Sequence, residues 1–362
     1  MRIRVGTRKV KKSINVKHHL SKLRRKKPAQ EKLDDRITNE TVAEHREQII
    51  AGGRRFKYPV QYSRHRLVIN SLLIGLGAIV LAAVLFWWQL YKVQDSSKFM
   101  YRLTQIIPVP IASVDGENVH YSDYLKRFRS SIHYLQEQVN LNTTSKDGKN
   151  EVEYRKRLEL NNAVRDAYAT KLARENKVTI SDSEVDAFIK ADLQSKKVTA
   201  RTYEKTVLNT FYDWSMSDYR SVVRAELLRR KVSFAVDSNA KQKADRILAA
   251  LRAAGADFGA IAKAESDDVV TKANGGDTGD IPIKSLDSNG TLAAANKLTP
   301  GQTSELIYGT DGYYIVKLTS KSASSIRFQV IKIATLEFEN RLEAVKKANK
   351  VKEYIDIVEQ KQ

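Results

Sequence analysis

The chain has 362 residues, of which 42% are hydrophobic and 29% charged, so two or three domains with folded cores are expected. It contains no cysteine, which excludes disulfides, cysteine nucleophiles and thiolate metal sites. The net charge is +21, and most of the excess lies at the start of the chain, where residues 1–66 hold 20 Lys/Arg against 6 Asp/Glu.

Residues 1–66 predict a basic tail that is largely disordered, because Lys and Arg are dense and apolar periodicity is weak. A short amphipathic helix is compatible with residues 33–50. Three roles remain open for the tail: it sets membrane orientation, it binds anionic lipid, or it binds RNA through phosphate groups. RNA is the least favoured partner, because residues 1–30 contain no aromatic ring that stacks on bases.

Residues 67–91 contain no charged side chain and predict a transmembrane helix. A helix of this length spans about 37 Å at ~1.5 Å per residue, which suffices for a hydrocarbon core of ~30 Å. Trp87, Trp88 and Tyr91 lie at its C-terminal end, where aromatic rings favour the headgroup interface.

The orientation of this segment follows from the charges on its two sides. The large Lys/Arg excess on the N-terminal side predicts that residues 1–66 are cytoplasmic and residues 92–362 extracytoplasmic. The sequence therefore predicts a single-pass protein of the cell membrane. We expect residues 92–110, which end in two prolines, to form a stalk between the membrane and the first domain.

Residues 111–231 predict a mostly helical domain. No proline occurs between Pro110 and Pro282, and Ser181 with Glu184 forms a capping box at the start of one helix. The segments IASVDGENVHYSDY, KLARENKVTISDSEVDAFI and DYRSVVRAELLRRKV resemble, in this order, the N-terminal chaperone domain of SurA- and PrsA-type foldases. The alternative for this region is an unrelated helical stalk or adaptor.

Residues 232–320 predict a β-α-α-β-α-β unit. Its first strand is expected at VSFAV (232–236), because apolar residues alternate there, and NGGDTGDIP (274–282) is expected to be a loop. The segments ADFGAIAKAESDD, NGGDTGD and LTPGQTSELIYGTDGYYIVKL resemble successive blocks of the parvulin (PpiC-type) peptidyl-prolyl isomerase domain. The resemblance implies a domain that binds proline-containing polypeptides and needs no cofactor or metal.

The C-terminal segment, residues 326–362, predicts a strand followed by a helix with Phe338, Leu342 and Val345 at helical spacing. In PrsA-like proteins such a helix completes the chaperone domain, so the resemblance implies that the parvulin-like unit is an insertion. The expected fold class is α+β: a transmembrane helix, a helical SurA/PrsA-like chaperone domain and an inserted parvulin-like domain.

One feature departs from the parvulin pattern. Parvulins surround the X–Pro amide, whose rotation barrier is ~18–20 kcal/mol, with polar groups that usually include two histidines. No histidine follows His133 in this chain; one family position falls within VSFAV and the other aligns with Tyr314. Tyr314 and Asp277 are therefore the candidate catalytic residues, although Asp277 fits a loop cap equally well. The candidates for an apolar proline pocket are Phe234, Ile281, Ile283 and Leu286.

Three functions are left open by these observations. In the first, the protein is a membrane-anchored folding factor that binds unfolded or proline-containing exported polypeptides, and Tyr314 preserves weak isomerase activity or none survives. In the second, the protein is a non-catalytic envelope adaptor that uses a parvulin fold for protein binding. A link from the envelope to nucleic acid or ribosomes through the basic tail is a third, less favoured hypothesis. The sequence does not specify clients or oligomeric state.

Overall fold

The computed structural model describes residues 38–57 and 59–357, so residues 1–37 of the predicted basic tail lie outside the described residues. The chain divides into two compact units, residues 1–80 and 81–362. In the first unit, helix α1 covers Asn39–Lys57. A helix was compatible with residues 33–50, and the helix in the structure begins at Asn39 and extends to Lys57.

The remaining elements are helices, many of them consecutive, and antiparallel strands that form two sheets. The helices are α2 (Pro59–Trp88), α3 (Lys98–Ile106), α4 (Tyr121–Val139), α5 (Lys146–Glu175), α6 (Asp182–Ser195), α7 (Ala200–Tyr203), α8 (Met216–Val236), α9 (Ser238–Arg252), α10 (Phe258–Glu265), α11 (Thr291–Ala295) and α12 (Glu337–Lys347). The strands are β1 (Pro110–Val114), β2 (Glu117–His120), β3 (Asp277–Pro282), β4 (Ile307–Tyr308), β5 (Gly312–Lys321), β6 (Ser325–Ala334) and β7 (Val351–Glu353). π-Helical segments follow α2 (Gln89–Val93) and α7 (Glu204–Tyr212), and a 3₁₀ turn covers Lys272–Asn274.

In the described part of the chain, one helix, His65–Val93, has the length and apolar composition needed to cross a membrane. It consists of most of α2 and the π-helical segment that follows. Its large apolar side chains from Leu67 to Leu85 are exposed.

The C-terminal end of this helix is part of a folded core. Leu90 is fully buried, and its carbonyl oxygen accepts a 2.6 Å hydrogen bond from the hydroxyl of Tyr121. The hydroxyl of Tyr91 donates to the carbonyl oxygen of Pro110 at 2.5 Å, and α3 packs its buried side against the same core. The structure thus differs from the stalk expected at residues 92–110: amphipathic α3 folds this segment back onto the domain.

The first core lies between the sheet β2-β1-β7 and helices α4, α5, α8 and α12. Strand β7 comes from the C-terminal end of the chain and pairs antiparallel with β1, with Val351 opposite Val114. Phe338 and Leu342 of α12 are buried in the same core. The segment after the second sheet thus returns to the helical domain, which is the arrangement that an inserted unit requires.

The second sheet has the strand order β3-β6-β5-β4 and is antiparallel throughout. Tyr313 and Ile315 of β5 pack with α9 and α10 on one face, whereas Tyr314 and Val316 pack with α11 on the other. Because both faces are covered, β5 appears in the sequence as a continuous apolar run.

The prediction of a strand at VSFAV is wrong, because these residues form the last turns of α8. Val232 and Val236 are one helical turn apart and both lie in the first core, whereas Phe234 packs against the second. Five apolar-rich residues do not distinguish a strand from a buried helix, and here packing between the two cores decides for the helix.

Strand β6, which follows β5 in the chain, takes the place in the second sheet that was expected for VSFAV. Strand β6 lies between β3 and β5, although residues 326–362 were expected to belong to the chaperone domain as a whole. That segment divides: β6 completes the second sheet, and α12 with β7 completes the first domain. The loop predicted at 274–282 likewise contains strand β3. The predicted order β-α-α-β-α-β is therefore wrong at its first strand.

Candidate functional site

Tyr314 lies on β5, with 6% of its surface exposed, and its hydroxyl has two partners. The hydroxyl donates a 2.5 Å hydrogen bond to Oδ1 of Asp311 and accepts a 3.0 Å hydrogen bond from Nδ2 of Asn289. Burial and the hydrogen bond to Asp311 raise the pKa of Tyr314. The side chain is therefore a neutral phenol held in one position.

The polar groups around Tyr314 extend to the surface through Asp311. Nζ of Lys332 lies 2.5 Å from Oδ2 of Asp311 and 6.0 Å from the centre of the Tyr314 ring. Burial opposes the ionisation of Asp311, but the hydrogen bonds from Lys332 and Tyr314 outweigh it and lower the pKa of this carboxyl. On the other side, Oδ1 of Asn289 accepts hydrogen bonds from the backbone and the hydroxyl of Thr310 at 3.0 and 2.6 Å.

Asp277, the second catalytic candidate, lies on β3 and forms an ion pair with Arg327. Nε of Arg327 lies 2.9 Å from Oδ1 of Asp277, which also accepts a 3.2 Å hydrogen bond from the backbone of Gly279. The hydrogen bond from Arg327 is the main cause that lowers the pKa of Asp277. The carboxylate therefore has the partners of a structural loop residue.

The sheet register separates the two catalytic candidates. Asp277 is paired with Gln329 on β6, and Tyr314 is paired with Lys332 on the same strand. Cross-strand partners share a face, and neighbouring residues along a strand alternate between faces. Positions 329 and 332 point to opposite faces, so Asp277 and Tyr314 do not form one site.

The four candidates for a proline pocket are also divided. Ile281 and Ile283 pack against the cluster that contains Tyr314. Leu286 is fully exposed and lies outside this cluster. Phe234 belongs to α8 and packs on the opposite side of the sheet, against Tyr313. The structure thus brings only Ile281 and Ile283 into the neighbourhood of Tyr314.

The structure explains why the glycine-rich loop needs glycine at position 276. Its backbone lies in the left-handed region (φ +81°), and a Cβ atom there would lie 2.4 Å from the carbonyl oxygen of Val330. The carbonyl oxygen of Gly276 accepts a 2.8 Å hydrogen bond from the backbone N–H of Val330. Glycine is required at this point because β3 and β6 approach each other so closely.

Two families of known domains match the chain. The PPIC-type PPIASE domain matches residues 228–320, and the SurA-like N-terminal domain matches residues 63–233. The chain contains a PpiC-type PPIase domain and a SurA-like N-terminal domain. The two resemblances that the sequence motifs indicated are thereby confirmed.

The chain is also similar to individual foldase proteins. It is 41% identical to Foldase protein PrsA 2 of Bacillus cereus over 75 residues, which are 19% of this chain and 24% of that protein. It is 34% identical to Foldase protein PrsA of Streptococcus gordonii over 134 residues, which are 35% of this chain and 40% of that protein. The chain thus spans well under half the length of the curated relatives it matches.

A crystal structure of foldase protein PrsA from Streptococcus pneumoniae also matches. The match covers 66% of this chain and 85% of that one, at 20% sequence identity and a TM-score of 0.19.

The polar groups of the PPIase domain include residues that the sequence analysis missed. Asn289, Asp311 and Lys332 complete the surroundings of the Tyr314 hydroxyl. Asn289 and Asp311 each precede a glycine in a loop, so in the sequence they have the appearance of ordinary turn residues. Lys332 lies on β6, in a segment assigned to the other domain, and nothing in the sequence placed it beside Tyr314.

A cavity of about 380 Å³ lies between α8 and the PPIase domain, beside these polar groups. Asp311, Thr310 and Lys332 line one side, and Glu226 with Arg229 of α8 lines the other. In the described ranges 38–57 and 59–357, no three His, Asp or Glu side chains are grouped so that they could hold a metal ion.

Proposed function

We propose that this protein is a membrane-anchored, extracytoplasmic folding factor that binds unfolded exported polypeptides and has weak or no prolyl isomerase activity. The combination of a PpiC-type PPIase domain with a SurA-like domain supports the folding role. The names of the relatives, foldase protein PrsA and foldase protein PrsA 2, support the same role.

The observation that carries the proposal is the arrangement of the two cores. Helix α8 contributes Val232 and Val236 to the SurA-like core and Phe234 to the PPIase side. Helix α12 and β7 then return the chain to the SurA-like core. Two continuous connections hold the PPIase domain against the helical domain, so a polypeptide held by one domain lies beside the other.

The absence of histidine and the partners of Tyr314 argue for weak or lost isomerase activity. Amide rotation is helped by polar groups that reach the X–Pro bond, and the family's usual groups are two histidines. The domain contains none. The buried hydroxyl of Tyr314 is bound to Asp311 and Asn289, and Asp277 is bound to Arg327 on the opposite face of the sheet.

The membrane part of the proposal depends on the apolar helix and the charges beside it. Residues 67–91 span the bilayer, residues 1–66 are cytoplasmic and residues 92–362 extracytoplasmic. The basic tail lies on anionic lipid, where each Lys or Arg near the surface contributes ~1 kcal/mol. RNA is the less favoured partner of the tail.

The proposal is tested with the full-length protein in detergent micelles or nanodiscs. Peptidyl-prolyl isomerisation of a short proline peptide is measured beside a histidine-containing parvulin, together with the aggregation of a chemically unfolded test protein. We expect suppressed aggregation with isomerisation far below that of the parvulin. Isomerisation equal to the parvulin would overturn the claim of weak activity. Failure in both assays would overturn the folding role and favour the hypothesis of a non-catalytic envelope adaptor.

A further inference from the structure

A second cavity, of about 420 Å³, lies where α6 and α8 of the SurA-like domain meet strand β4 of the PPIase domain. It is open to solvent, and most of its wall is apolar. The apolar residues that line it are Ile180, Ala187, Phe188, Leu227, Phe234 and Tyr308. Its volume falls in the range of sites that take organic ligands, roughly 300–1,000 Å³.

Three aromatic rings hold one wall of this cavity in place. Phe234 packs edge-on against Tyr308 and Tyr313, with ring centres 5.3 and 4.8 Å apart, and Tyr308 packs edge-on against Tyr313 at 5.2 Å. Tyr313 is buried, so it fixes the other two. Tyr308 remains 50% exposed, and Phe188 on the opposite wall 36% exposed. The wall is thus formed in advance and still accessible.

The charged residues of the cavity do not balance. Lys231 forms an ion pair with Glu184, so these two charges compensate each other. Arg230 donates a hydrogen bond to the carbonyl oxygen of Tyr308 but forms no ion pair with any carboxylate in the described part of the chain. Glu226, one turn earlier on α8, acts on Arg230 only at a distance. A partly buried positive charge without an ion-pair partner among the described residues therefore lies beside an apolar wall.

We propose that this cavity binds a large apolar or aromatic side chain of an unfolded polypeptide, and that Arg230 binds an acidic side chain next to it. The inference rests on the proposed function, because unfolded polypeptides expose the large apolar side chains that folded proteins bury. The acidic neighbour follows from charge complementarity, since a guanidinium and a carboxylate form a charge-assisted hydrogen bond. The preferred client segment is therefore apolar and acidic.

The test uses the full-length protein in detergent and short, fluorescein-labelled Gly/Ser peptides with a central Phe-Glu or Phe-Gln pair. Fluorescence anisotropy gives their dissociation constants. We expect the Phe-Glu peptide to bind about tenfold more tightly, as one hydrogen bond to a charged group predicts. Arg230→Gln should abolish this difference, and Arg230→Lys should retain part of it. Ala187→Trp, which fills the cavity from its rim, should weaken both peptides.

The matched control is Arg201→Gln, which removes an exposed arginine of α7 outside the cavity and should leave both dissociation constants unchanged. Thermal unfolding by circular dichroism confirms that each variant is folded; if Arg230→Gln is not, Arg230→Lys and Ala187→Trp carry the test. If the Arg230 and Ala187 variants bind both peptides like the wild type, the cavity is not the client site. The proposed function survives that result if aggregation is still suppressed, and fails if the wild type suppresses none.

Discussion

The hydroxyl of Tyr314 is held between Asp311 and Asn289, and this position decides what the side chain does. A phenol that donates to a carboxylate in a buried site orders two loops around β5, because Asn289 and Asp311 belong to different connections of the PPIase domain. Sequence reasoning located Tyr314 through its motif. It did not find Asn289 or Asp311, because an Asn-Gly or Asp-Gly pair is explained by turn chemistry alone.

At this scale we predict that Tyr314→Phe lowers the free energy of unfolding by about 1 kcal/mol, since the half-buried amide of Asn289 loses a hydrogen-bond partner. Urea unfolding of the full-length protein measures the change. Tyr134→Phe is the control, because this partly exposed ring has no hydrogen bond through its hydroxyl in the described contacts. If Tyr314→Phe instead abolished a measurable isomerase activity at unchanged stability, Tyr314 would be a catalytic residue.

At the scale of elements, local signals were sufficient wherever a helix carries its own cap and stripe. The capping box of Ser181 and Glu184 starts α6 as expected. Local signals were not sufficient to predict the secondary structure of VSFAV and β6, because the apolar patterns of these two segments are similar. Which of them enters the sheet depends on long-range packing: Val232 and Val236 fit the first core only as a helix, and Ile331 and Ile333 fit the second only as a strand.

The position of β6 gives a prediction about fragments. A fragment covering residues 238–334 contains all four strands of the second sheet and should unfold cooperatively on heating. A fragment covering 232–320, the boundaries expected from the sequence, lacks the strand that pairs with both β3 and β5 and should not fold. Circular dichroism and the dispersion of amide signals by NMR distinguish the two. Cooperative unfolding of 232–320 would show that the sheet is complete without β6.

On the scale of the whole molecule, the return of the chain to its first core followed from the family resemblance, and α12 with β7 does return. The folded state of residues 92–110 did not follow from the family resemblance or from the sequence pattern. A segment with polar residues and two prolines resembles a linker, and only its contacts with the core show that α3 is part of the domain.

The proposed topology predicts which single cysteines react from outside the cell. Because the chain has no native cysteine, Lys22→Cys in the tail and Val269→Cys, which is highly exposed in the PPIase domain, each provide one thiol. A membrane-impermeant maleimide should label Val269→Cys on intact spheroplasts and Lys22→Cys only after lysis. The unsubstituted chain is the blank. The reverse pattern would place the tail outside.

The burial of Leu90 has a mechanical consequence. A domain that is joined to the membrane by a flexible linker takes many orientations, because the linker does not restrain it. Here the last turns of the apolar helix belong to the core of the domain, and α2 runs without interruption from Pro59 to Trp88. Under the proposed topology, a force that pulls on the domain therefore reaches the last turns of the apolar helix without a slack linker in between. These turns come free only when the core around Leu90 opens.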